Sequence, residues 1–160
     1  MPFAAALDPS TLEFWTHVGV AFFCGGVIGL ERQIRGKVAG MRTAVLITLG
    51  TSFFVAESAA VMPAGVDPSR VLGQVVTGIG FLGAGVILAR GDRIIGVTTA
   101  AVIWLLAAIG SLIGFGYLRA AMVGTLLALL VLIGMEGIER LLVRNATRRG
   151  SGVHSTFEGG

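Results

Sequence analysis

Apolar residues run along this chain in long blocks separated by short polar joints. Spanning the hydrocarbon core of a bilayer takes about 20 such residues in a helix. Five stretches reach or approach that length: residues 12–30, 43–62, 71–89, 97–115 and 118–138. The joints between them are brief and hold most of the charge: "ERQIRGKVAGMR", "PAGVDPS", "RGDRIIG" and the abrupt "GFGY". This pattern predicts an all-α, polytopic membrane helix bundle of about five transmembrane helices. An N-terminal extracytoplasmic segment (1–11) precedes the transmembrane domain (12–139). A Gly- and Ser-rich flexible tail (140–160) is expected to follow it.

Composition supports the membrane assignment. Hydrophobic residues make up 54% and charged residues 13% of the 160 positions, against roughly 25% charged in soluble domains. Mean hydropathy is +0.88. The first span has no Lys or Arg on its N-terminal flank and no small-x-small cleavage site after it, so it reads as an uncleaved span. The single cysteine, Cys24, excludes an intramolecular disulfide and reads as a small apolar filler. His17 and His154 stand far apart, and no metal-ligand cysteine pattern exists.

Charge then fixes an expected orientation. Arg32, Arg35, Lys37 and Arg42 lie in the first joint and Arg90 and Arg93 in the third. Arg140, Arg144, Arg148 and Arg149 follow the last span. These alternate segments share one side, while the other carries Arg70 and Arg119. The N-terminus is therefore expected outside and the C-terminus inside the membrane. Trp15, Trp104 and Tyr117 need no role beyond membrane seating or packing.

Small residues recur at helical spacing. Ala21, Gly25 and Gly29 share a face of the first span; Gly73, Thr77, Gly80 and Ala84 share one of the third. Ala107, Gly110, Ser111 and Gly114 do so on the fourth, and Ala121, Gly124, Thr125 and Ala128 on the fifth. In lipid, close packing through small residues takes the place of the hydrophobic drive that assembles soluble cores. Gly25, Gly29, Gly73, Gly78, Gly80, Gly83, Gly85, Gly110 and Gly114 are accordingly read as helix-packing positions within the chain or between copies of it.

Gly78-x-Gly80-x-x-Gly83 also has the spacing of a dinucleotide-binding turn. That fold needs a preceding strand and an acid about 20 residues further on. Here the glycines sit inside an apolar run, and Ile103 occupies the place of the acid. No nucleotide or nucleic-acid partner and no cofactor is expected.

Polar residues within the apolar blocks are the candidate functional positions. Glu57 lies inside the second span, where an ionisable group is costly and points to function by default. Asp67 is placed to cap the third span ahead of Pro68, with Arg70 three residues on. Arg70, Gln74 and Thr77 then run a turn apart into the membrane, as a wet path or as a packing stripe. Glu31 and Arg42 are placed to pair across the first joint. No Ser/His/Asp set, metal cluster or paired carboxylates at catalytic spacing is found, so the chain is not read as an enzyme.

Four ordered blocks complete the reading: "GGVIGLERQ" (25–33), "GMRTAVLITLG" (40–50), "DPSRVLGQVVTGIGFLGAGVIL" (67–88) and "GVTTAAVIWLLAAIG" (96–110). Together they resemble the transmembrane domain of the MgtC/SapB family of bacterial inner-membrane proteins. The family's polar motif positions map onto Glu31, Arg32, Arg42, Thr43, Asp67, Arg70, Thr98 and Thr99. The resemblance implies a part in Mg²⁺ homeostasis or low-Mg²⁺ stress adaptation. In some pathogens it implies survival inside macrophages. The mechanism implied is regulatory contact with membrane partners, including the ATP synthase; the alternative is a small oligomeric transporter or channel for Mg²⁺ or another cation. Longer members carry a soluble C-terminal domain, which is not expected here.

Overall fold

The structure is a computed structural model that describes residues 7–61, 69–90 and 93–150. Its elements are α1 (Leu12–Ile34), α2 (Met41–Val61), α3 (Ser69–Gly85), the strands β1 (Leu88–Arg90) and β2 (Arg93–Ile95), α4 (Val97–Gly114) and α5 (Leu118–Gly150). The chain is an all-α membrane helix bundle with one small hairpin. It divides into two compact units, Met1–Thr125 and Leu126–Gly160. The second consists, where described, of the remainder of α5.

Local chemistry sets the helix ends. Thr11 has an extended backbone, and its side chain accepts a hydrogen bond from the Phe14 N–H, the signature of an N-cap. The Asp8 carboxylate accepts from the backbone N–H and then the hydroxyl of Ser10, which lowers its pKa. At the far end of α1 the Lys37 N–H reaches the Arg32 carbonyl and the Gly36 N–H reaches that of Gln33. Gly36 has φ +65°, so this is a Schellman stop closed by a glycine. The "GFGY" turn repeats the device. Gly116 has φ +80°, and the Tyr117 and Gly116 N–H groups bond to the Leu112 and Ile113 carbonyls.

In the first unit α2 is held between α1 and α4 by glycine contacts on both sides. A Cβ on Gly25 would fall 2.7 Å from Thr48 Oγ1, and one on Gly29 would fall 2.6 Å from the Met41 Cα. From the other side, a Cβ on Gly110 would lie 2.7 Å from the Thr48 carbonyl oxygen, and one on Gly114 2.6 Å from that of Ser52. No larger residue fits these backbones at this separation. Around the contacts lie Cys24, Ile28, Val55, Leu106, Ile109 and Ile113, all fully buried.

The buried hydroxyls serve their own helices. Thr48 donates to the Ala44 carbonyl, Ser52 to Leu49, Ser111 to Ala107 and Thr125 to Ala121, at 2.8–2.9 Å. Each needs nothing from outside, so these polar groups enter the interior without an open hydrogen-bonding demand. His17, also buried, directs Nδ1 to the Glu13 carbonyl at 2.9 Å.

Two expected boundaries move. The third span was expected over residues 71–89, yet α3 ends at Gly85 and Leu88–Arg90 pairs antiparallel with Arg93–Ile95. β-branched Val and Ile prolong the apolar run, and such residues suit a strand as well as a helix. At 17 residues α3 is about 25 Å long. Among the described residues, four helices are long and apolar enough to cross a membrane: α1, α2, α4 and the first part of α5. The second shift is at the C-terminus, where α5 continues to Gly150, ten residues beyond the expected start of the tail. "ERLLVR" is composed largely of good helix formers, which carry the helix past the apolar block.

Candidate functional site

The polar positions fall into three places. The first is the end of the bundle where α1 passes into α2. Glu31 does not pair with Arg42 as its spacing suggested. Its carboxylate takes the adjacent Arg32, through Nε at 2.5 Å and Nη2 at 2.7 Å, and Arg35, the C-cap of α1, through Nε at 2.5 Å. Arg35, four residues on, lies one turn from Glu31 on the same side, so this pair forms without ordering a second element. Arg32 is buried, and a buried guanidinium demands such a carboxylate. Arg42 and Thr43 are exposed on the first turn of α2. The residue that does cross the joint is Gln33, whose Oε1 accepts the Met41 N–H at 3.3 Å and so caps α2. Nothing in the sequence singled Gln33 out for this.

The second place is the junction of the hairpin with α4. Gly96 has φ +92°, and a Cβ there would meet the Val86 carbonyl oxygen at 2.0 Å. Its own carbonyl accepts from the Ala100 N–H, opening α4. Thr98 is exposed and Thr99 buried on the first turn. A Cβ placed on Gly83 would lie 3.7 Å from the Ala100 Cβ and 3.9 Å from the Ala100 carbonyl oxygen, ordinary van der Waals separations. A glycine directly before a β-branched helix start was the available signal for this junction.

The third place is α3 and the side of α2 next to it. The apolar side of α3, with Leu72, Val75, Ile79 and Gly83, turns toward the bundle. Its other side carries Arg70, Gly73, Gln74, Thr77, Gly80 and Ala84, every one exposed. The Thr77 hydroxyl donates to the Gly73 carbonyl at 2.9 Å. Among the described residues, nothing lies within 4 Å of a Cβ on Gly73, Gly78, Gly80 or Gly85, so the close approach expected at these glycines is not made by them.

α3 runs antiparallel to α2 with an open groove between them. Thr51 and Phe54 border one cavity of about 390 Å³ together with Val71, Gln74 and Gly78. Thr43, Leu46 and Gly50 border another of about 410 Å³ with Leu82 and Val86. Glu57, four residues before the end of α2, is exposed on that helix's outward side and so stands at the same end as Arg70. Asp67 lies outside the described residues, as does its expected capping of α3. Among the described residues, no group of three His, Cys, Asp or Glu side chains is placed to hold a metal ion.

Comparison with known proteins places this geometry in context. The profile of the MgtC family matches residues 18–141. "Putative magnesium transporter YhiD" of Escherichia coli K12 is 47% identical over 129 residues, covering 76% of this chain and 60% of YhiD. "Protein MgtC" of Brucella abortus strain 2308 is 42% identical over 131 residues, 82% of this chain and 55% of that protein. "Protein SrpB" of Synechococcus elongatus is 41% identical over 135 residues, 76% of this chain and 74% of SrpB. The chain therefore spans less than two thirds of YhiD and of the Brucella protein. No solved structure matches.

Proposed function

Since this chain belongs to the MgtC family, a Mg²⁺-related family of membrane proteins, we propose that it serves Mg²⁺ homeostasis or low-Mg²⁺ stress adaptation by regulatory interaction with membrane partners. It resides in the bacterial inner membrane as a multi-pass protein, N-terminus outside, and catalyses no reaction. The observation that carries this reading is the outward side of α3. Arg70, Gly73, Gln74, Thr77, Gly80 and Ala84 face away from the bundle there, beside the exposed Val76, Phe81 and Leu82, while Leu72, Val75 and Ile79 face inward. Lipid is a poor neighbour for an exposed amide and bare glycine backbone, whereas another protein can pack on the glycines and bond the amide.

A second reading, transport of Mg²⁺ or another cation, is favoured by the name of YhiD and by Glu57 near the α2–α3 groove. Mg²⁺ prefers several oxygen ligands and retains water, so one such carboxylate needs others from further copies to make a site. The two readings part in one experiment. Purified protein in liposomes holding an internal Mg²⁺ dye is compared with Glu57→Gln and Asp67→Asn. Flux in the wild type that these changes abolish overturns the regulatory reading. Absence of flux, with crosslinking to a membrane partner in native membranes, is the expected result.

A further inference from the structure

We propose that the outward side of α3, with the adjoining side of α2, is the contact surface for a second copy of this chain, arranged as a two-fold dimer with reciprocal Glu57–Arg70 pairs. The proposal rests on the reading of this face as a protein contact and names its occupant.

The side of α3 that faces out joins a stripe of small and polar residues to the exposed apolar Val76, Phe81 and Leu82. Gly73 and Gly80 leave backbone bare on it, and no described residue comes within 4 Å of a Cβ placed on either. Elsewhere in the protein the same residue type brings backbones together, as Gly25 and Gly110 do on α2. A face of this kind permits a second helix to lie at the same short distance. Between its glycines stands Gln74, exposed and with no hydrogen bond among the described residues.

Charge selects the occupant. Glu57 and Arg70 are opposite in sign, stand at the same end of the bundle and are both exposed. Among the described residues neither makes an ion pair, and they do not pair with each other. A foreign partner would have to supply a cation for one and an anion for the other. A second copy, rotated by half a turn about an axis along the membrane normal, supplies both at once. In such an isologous contact residue i meets j and j meets i. Gln74 fits the same symmetry, because a primary amide donates and accepts and so bonds to its own image across the axis. The open groove between α2 and α3 gives the incoming helix a seat beside these residues.

The test uses the full chain in native membranes and then in nanodiscs. In a Cys24→Ala background, Thr77→Cys is oxidised with copper phenanthroline, with Phe22→Cys on the outward side of α1 as the comparison position. A disulfide-linked dimer is expected from Thr77→Cys and none from Phe22→Cys. Glu57→Arg and Arg70→Glu are each expected to lower the dimer fraction tenfold or more, and the double exchange to restore it. Restoration is the decisive readout, because a folding defect in either single variant would not be repaired by the second. Crosslinking at Phe22→Cys but not Thr77→Cys, or a double exchange that fails to restore the dimer, overturns the proposal. Crosslinking of Thr77→Cys to a different protein overturns the second copy while leaving the regulatory reading intact. Loss of both kinds of crosslink overturns both.

Discussion

Gly110 of α4 lies against Thr48 of α2 so closely that a Cβ at Gly110 would stand 2.7 Å from the Thr48 carbonyl oxygen. The obstacle is backbone, so the helix rather than a side chain has to move. Gly110→Val is therefore expected to destabilise the bundle by roughly 1–3 kcal/mol or more. Gly80→Val, where nothing stands within 4 Å, should leave the isolated protomer unchanged. Reversible unfolding in mixed micelles checks both; equal stability of Gly110→Val and wild type would contradict the close approach.

Gly96 and Gly36 both have positive φ, but only Gly96 is also crowded, with the Val86 carbonyl oxygen 2.0 Å from a Cβ position. Gly36→Ala should cost about 1–2 kcal/mol, the strain of an L-residue in the left-handed region. Gly96→Ala adds a clash and should break the hairpin–α4 junction. The expected order, Gly96→Ala far below Gly36→Ala in expression and melting temperature, would be refuted by its reverse.

Removing the Glu31 charge leaves the buried Arg32 guanidinium unpaired. Glu31→Gln is expected to cost about 3–5 kcal/mol, the usual penalty for breaking a buried pair from one side. Arg42→Ala, at an exposed position with no part in that pair, should stay within about 0.5 kcal/mol of wild type. Parity between the two variants in denaturant titrations would remove Glu31 from the account.

The distribution of Lys and Arg predicts sidedness. Single cysteines replacing Lys37 and Asp67, in a Cys24→Ala background, should react with an impermeant maleimide from opposite faces of the membrane, position 67 from outside. Labelling from a common face would sink the orientation.

The helices were legible because spanning a bilayer demands runs of about 20 apolar residues, and α1, α2 and α4 follow theirs to within a few positions. The end of α3 was not, since Val86, Ile87 and Leu88 extend an apolar block whether the backbone coils or pairs. Periodicity also placed Gly25, Gly29, Gly110 and Gly114 on common faces, as it did Gly73 and Gly80. It has no means of saying that the first four meet α2 while the last two meet none of the described residues. Which neighbour fills a face is decided by tertiary packing. The same holds for Glu31, where spacing allowed Arg42 and geometry chose Arg32 and Arg35.

Thr48, with Gly25 on one flank and Gly110 on the other, has a consequence for motion. A helix gripped at backbone distance from both sides has no slack in which to roll or slide, so α2 is a fixed axle. Any change of shape in the first unit has to be sought at its margin, in α3, whose outward side no described residue packs against.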